Sequence, residues 1–242
     1  MCELCQASPK TISRRGVMTG GAALLAASAI QSPPLRAAEP AGADAQNAIP
    51  PAAALDRLMQ GNARYAAGES ECNDYSAGRA AREHAQHPIV AILSCSDSRV
   101  APELVFDQGP GDVFVVRVAG NFVNDDGLAS LEYAVEILNV PLILVLGHTN
   151  CGAISAAVKV VKERVELPGH LPELIKSIEP AVNAAHAQHP SDLVAATIDE
   201  NVRLNVKRLI GDAPIMTEAL ATKKIAVSGG VYDLATGKVN LI

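Results

Sequence analysis

The 242-residue sequence has no apolar run reaching the roughly 18 residues that suggest a membrane-spanning helix. It has no basic excess. Lys and Arg number 20 against 26 Asp and Glu, for a net charge of -6, so nucleic acid is not expected as a partner, because phosphate binding needs a basic face. Its five cysteines are scattered, which excludes a short, cysteine-dense disulfide scaffold. No internal repeat is visible. Tryptophan is absent and aromatics make up 3% of the chain. Apolar residues make up 49% and charged residues 19%, which excludes wholesale disorder and supplies a core for one domain, with or without an appendage.

The charge is unevenly placed. Residues 1–38 hold Lys10, Arg14, Arg15 and Arg36 against Glu3, a net +3 that leaves -9 for the remainder. Ser13-Arg14-Arg15-Gly16-Val17-Met18 sets an arginine pair before a Gly/Ala-rich apolar stretch from Gly16 to Ile30, followed by Pro33-Pro34. A basic start, a short apolar segment and small residues beyond it describe an export signal, and the adjacent arginines resemble a twin-arginine signal. The expected location is periplasmic or otherwise extracytoplasmic in a bacterium, with the chain exported folded and no stable membrane anchor after cleavage. Ala27-Ser28-Ala29 and Ala41-Gly42-Ala43 both fit a small-x-small cleavage rule. Residues 1–38 are read as signal, 39–51 as an Ala/Pro-rich linker and 52–242 as the domain. Cys2 and Cys5 form a C-x-x-C inside the segment expected to be removed.

Leu55, Leu58, Met59 and Tyr65 recur at helical spacing, predicting a helix over 53–67. Short apolar runs at 89–93, 113–118 and 142–146 suit buried strands, and 224–231 makes a fourth. Helices are predicted at 128–138, 152–161 and 194–209, with an edge strand over 238–242. Buried strands alternating with helices predict an α/β fold: a mostly parallel central sheet of about four strands plus an edge strand, with helices on both faces. Such sheets bind ligands beyond the carboxyl ends of their strands.

Two of those ends carry reactive residues. The first strand runs into Ser94-Cys95-Ser96-Asp97-Ser98-Arg99, and the third into Gly147-His148-Thr149-Asn150-Cys151-Gly152. Two thiols and an imidazole on neighbouring loops can meet around one ion, and three protein ligands with an open fourth position are the catalytic form of a zinc site. Thiolate and imidazole select zinc over magnesium or calcium. Two buried cysteines acting as small apolar residues, or a Cys95–Cys151 disulfide in an exported protein, are the alternatives. Asp97 and Arg99 can form a charge-assisted pair, which beside a metal keeps Asp97 ionised and ready to accept a hydrogen bond from water.

Cys-Ser-Asp-Ser-Arg-Val at 95–100 and His-x-x-Cys-Gly at 148–152 resemble the signature of β-class carbonic anhydrases. So do, in order, Pro102-Glu103, Phe106-Asp107, 111–117, Ala119-Gly120-Asn121, 130–135, Val145-Leu146-Gly147, Tyr232-Asp233 and Thr236-Gly237. The resemblance implies a zinc lyase that interconverts carbon dioxide and bicarbonate. By the same resemblance one Zn²⁺ per chain is expected to be held by Cys95, His148 and Cys151, with Asp97 and Arg99 as the catalytic dyad and either water or, in a closed state, Asp97 at the fourth position. Gln86, Phe114 and Tyr133 match the substrate pocket of the plant-type, open-site branch. There the Gln comes from a neighbouring subunit, implying a homodimer or higher homo-oligomer. The bicarbonate-gated branch carries Trp three residues before the first cysteine ligand. Here Ile92 stands at that place and Ser94 replaces that branch's usual Gly, so the inhibitory bicarbonate pocket is expected to be absent. His84 and His87 are candidate proton shuttles or plain solvated histidines. Two other functions fit the same scaffold: hydrolysis of carbon disulfide or carbonyl sulfide, and a non-catalytic zinc-binding assembly role, which is expected to lose Asp97 or Arg99.

Overall fold

The computed structural model describes residues 45–71, 75–76, 78–211, 214–222 and 224–242. The segment expected to be an export signal, with both candidate cleavage positions, lies outside them. Strands β1 (Val90–Ser94), β2 (Val113–Arg117), β3 (Leu142–His148), β4 (Ala226–Tyr232) and β5 (Val239–Leu241) form one sheet in the order β2-β1-β3-β4-β5. The first four are parallel and β5 pairs antiparallel to β4. The helices are α1 (Pro51–Ala67), α2 (Arg79–Arg82), α3 (Pro102–Val105), α4 (Asp125–Glu136), α5 (Gly152–Glu163), α6 (Leu171–Ala187), α7 (Leu193–Gly211) and α8 (Pro214–Ala221). No described helix is long and apolar enough to cross a membrane.

The apolar runs are unbroken because both faces of the central strands are covered. Ala91, Leu93, Ile143 and Val145 point into a core with Leu131 of α4, Ile154 of α5, Ile178 of α6 and Val202 of α7. Their neighbours Val90, Ile92, Leu142, Leu144 and Leu146 point the other way, against Ala54 and Leu58 of α1, Val105 of α3 and Phe106 just after it. Strand alternation thus places every residue of these runs in a core. Helix α7 lies close on β3, where a Cβ on Gly147 would stand 2.8 Å from Val202 Cγ2.

Helix α6 has no counterpart in the periodicity reading. Pro172 and Pro180 interrupt its pattern, yet Pro172 sits in the first turn and Pro180 is accommodated inside the helix. The first costs no hydrogen bond, and the second removes one that burial of Ile175, Ile178 and Val182 outweighs. Residues 45–50, at the end of the segment read as a linker, pack on the domain. Asn47 is buried, and its Nδ2 donates to Leu138 O at 2.6 Å.

The chain leaves β1 for β2 on one side and returns across β1 to β3 on the other. Loops leaving β1 and β3 therefore diverge at a topological switch point, the place where open α/β sheets hold ligands.

Candidate metal centre

Both sides of this switch point contribute residues. Cys95 follows β1 directly, His148 closes β3, and Cys151 caps the N-terminus of α5. Their ligand atoms all lie within 4.8 Å of one another, and all three residues are buried. Two ligands about 2.3 Å from a tetrahedral ion are themselves about 3.8 Å apart, and Cys95 Sγ and Cys151 Sγ stand 3.9 Å apart as free thiols. His148 Nδ1 sits 2.9 Å from Thr149 O. A proton on Nδ1 for that bond leaves the lone pair on Nε2, a buried atom with no hydrogen-bond partner. An orphaned imidazole nitrogen beside two thiols is the donor set of a zinc site. Its outer nitrogen is tied to a carbonyl, as ligating histidines usually are.

The pair of thiols is polarised. The Cys151 side chain, hydrogen-bonded to Cys95, is the main force lowering the Cys95 pKa to about 4, against burial that raises it. Cys151 is pushed up by the same bond and by burial, while the N–H groups of Ile154 and Ala153 at the start of α5 favour its thiolate. Gly120 N–H also donates to Cys95 Sγ, at 3.3 Å.

Asp97 and Arg99 lie beside this cluster. Arg99 Nε donates to Oδ1 at 2.9 Å, its Nη2 to Oδ2 at 2.7 Å, and its backbone N–H to Oδ1 at 2.9 Å. The Arg99 side-chain bonds hold the Asp97 carboxyl well below the usual carboxylate range, against partial burial. Asp97 Oδ2 stands 3.9 Å from His148 Nε2. The carboxylate therefore borders the position between the ligand atoms while remaining bound to Arg99.

Gln86, Phe114 and Tyr133 are gathered elsewhere on the chain. Phe114 pairs with Ala91, so at about 3.3 Å per residue it lies about 13 Å along the sheet from Cys95. Its ring centroid is 6.4 Å from that of Tyr133, which is 47% exposed. Gln86 is exposed and shares an open groove of about 670 Å³ with Tyr133, Arg82 and His84. His87 is exposed as well. β2 is an edge strand. Phe114 is partly buried against the core on one face of the sheet, while Tyr133 and Gln86 are exposed.

Reasoning from sequence passed over Arg117 as a site residue. At the carboxyl end of β2, its Nε donates to Cys95 O at 2.9 Å, and its Nη2 to Asp97 O and Val100 O, each at 2.8 Å. One guanidinium thus ties down the loop carrying a thiol and the dyad. The available signal was a charged residue ending a β-branched run. Lysine cannot reproduce the fork. Arg117→Lys is expected to cost roughly 2 kcal/mol, or about 4–8 °C in Tm for a domain of this size, read by calorimetry. An unchanged Tm would show that the loop holds itself.

The carbonic anhydrase family profile matches residues 90–239. Carbonic anhydrase 2 of Mycobacterium tuberculosis is 38% identical over 199 residues, covering 79% of this chain and 92% of that protein. The carbonic anhydrase of Mycolicibacterium smegmatis is 36% identical over 195 residues, covering 79% and 93%. Among solved structures, the Coccomyxa β-carbonic anhydrase in complex with acetazolamide aligns with a TM-score of 0.61 at 30% identity, covering 78% of this chain and 86% of that one. Tetrameric β-carbonic anhydrase from Sordaria macrospora aligns at 0.63 and 26% identity, covering 78% and 96%.

Proposed function

The chain belongs to the β-carbonic anhydrase family, and from that premise we propose that it interconverts carbon dioxide and bicarbonate at a zinc centre formed by Cys95, His148 and Cys151. The observation that carries the reading is the convergence of the two Sγ atoms and the unpartnered His148 Nε2, with the Arg99-held Asp97 alongside.

One zinc ion per chain supplies the Lewis acidity that makes a water molecule nucleophilic near neutral pH. Asp97 accepts that water's hydrogen bond and orients its lone pair toward carbon. Arg99 keeps the carboxylate ionised and turned to this task, as in the plant-type, open-site branch. Arg117 fixes the backbone that carries both the thiol and the carboxylate. Gln86, Phe114 and Tyr133 serve a second copy's centre: the amide holds a substrate oxygen and the rings supply an apolar wall for an apolar gas. The exposure of Gln86 and Tyr133 supports this, as does the separation of Phe114 from Cys95 along the sheet of one chain. The active unit is then a homodimer or a higher homo-oligomer.

Two inactive variants test the shared site. Cys151→Ala lacks a metal ligand, and Gln86→Ala lacks the amide. After unfolding and refolding together, a mixed pair has one site with every group intact if Gln86 acts across the interface. Activity is expected to return on mixing. No return would place Gln86 in its own chain's site or outside catalysis.

The substrate is tested by offering carbon dioxide, carbonyl sulfide and carbon disulfide to the zinc-loaded protein starting at Glu39. Carbon dioxide turnover is expected. Hydrogen sulfide release without carbon dioxide turnover would overturn the reading in favour of a sulfur-analogue hydrolase.

The chain acts outside the cytoplasm after export in folded form, a reading supported by Arg14-Arg15 and the mild apolar stretch behind them. Arg14→Lys together with Arg15→Lys is expected to trap precursor inside the cell, because the two cations differ where guanidinium geometry is recognised. Undiminished extracytoplasmic protein would contradict a twin-arginine route.

A further inference from the structure

One face of α7 takes hold of the backbone that follows β2. Asn201 Nδ2 donates to Gly120 O at 2.9 Å. Asn205 Oδ1 accepts from Val123 N–H at 2.7 Å, and Arg208 Nη1 donates to Val123 O at 2.7 Å. Asn205 Nδ2 in turn donates to Asn201 O at 2.7 Å. Residues 201, 205 and 208 fall at helical spacing on one side of α7.

Asn201 is 1% exposed, next to Val202 and one turn from Ile198 and Asn205. A carboxamide buried there is costly unless it is bonded, so its partner explains its presence. That partner, Gly120, has φ +88°, and a Cβ on it would stand 2.6 Å from Ile178 Cδ1. Its N–H donates to Cys95 Sγ and its C=O accepts from Asn201. The glycine thus bridges a helix beginning at Leu193 to a thiol at residue 95.

We infer that Asn201 is a positioning residue for the metal centre: by holding the Gly120 carbonyl it aims the Gly120 N–H at the sulfur of Cys95. An N–H bonded to a thiolate draws electron density from the sulfur. Two thiolates otherwise neutralise the charge of a divalent ion, so this donor leaves the ion a stronger Lewis acid. The inference rests on Cys95 being a metal ligand.

The test uses the full domain loaded with Co²⁺, whose thiolate-to-metal charge-transfer absorption reports on the sulfur. Asn201→Asp keeps the shape and sets an acceptor against the Gly120 carbonyl. Val206→Ala, on the same helix, loosens packing without touching the 120–123 backbone. The charge-transfer band is expected to move to lower energy in Asn201→Asp and to stay in place in Val206→Ala. If Asn201→Asp does not fold, Asn201→Ala removes the donor without adding a carboxylate and carries the same expectation. A band unmoved in the folded Asn201 variant, or moved equally by Val206→Ala, would overturn the inference. A wild-type protein with no thiolate charge-transfer band would defeat the ligand assignment itself, a separate and earlier failure.

Discussion

Cys151→Ala is expected to be folded, free of zinc, and no faster than the uncatalysed background in hydrating carbon dioxide. The side chain is 1% exposed at the start of α5, so truncating a small buried thiol costs on the order of 1 kcal/mol in packing. The chemical loss is far greater. Cys95 and His148 alone leave two ligands where a catalytic zinc site uses three, and the neighbouring carboxylate of Asp97 is held by Arg99. The variant also forfeits the stabilisation that a bound ion contributes to the native state, so the wild-type Tm is expected to fall on chelation and that of Cys151→Ala is not. Elemental analysis and stopped-flow hydration read both effects. Full zinc occupancy in Cys151→Ala would refute the ligand assignment.

Asp97→Asn is expected to lower kcat/KM by about 10²- to 10⁴-fold while zinc stays bound. The amide keeps the carboxylate's shape but loses its charge. It offers an N–H where water needs an acceptor, and it weakens the hold of Arg99 Nε and Nη2. The pH profile separates this role from metal binding. With its carboxyl held well below the usual range by Arg99, Asp97 stays ionised throughout the working range, so its protonation is not what limits activity on acidification. Activity is expected to rise through a single-proton transition above the roughly pH 7 of a three-histidine zinc site, because two thiolates cancel the metal's charge. Bicarbonate should inhibit only as product. Steep, bicarbonate-dependent inactivation below about pH 8 would instead mean that Asp97 leaves Arg99 and closes the fourth position.

The cluster was legible in the sequence because its residues end apolar runs. Cys95 follows 89–93, His148 follows 142–146, and a parallel sheet brings such ends together. Arg99 could be paired with Asp97 from two-residue spacing alone. The location of Phe114 and Tyr133 could not be read in the same way, since it depends on which strand is an edge and on the Ala91–Phe114 register. Helix α6 was hidden by Pro172 and Pro180, whose usual meaning is a break. Asn201 carried no local signal at all. Its partner Gly120 is 81 residues away, and beside Asp199, Glu200 and Arg203 it reads as one more polar residue of an amphipathic helix.

The most direct test of the account is a zinc titration of the metal-stripped protein, followed by stopped-flow carbon dioxide hydration. Activity is predicted to be absent without metal, to rise linearly with added zinc, and to level off at about one ion per chain, as three ligands with an open fourth position require. Hydration unaffected by metal removal, or a fully zinc-loaded protein that leaves carbon dioxide unhydrated, would contradict it.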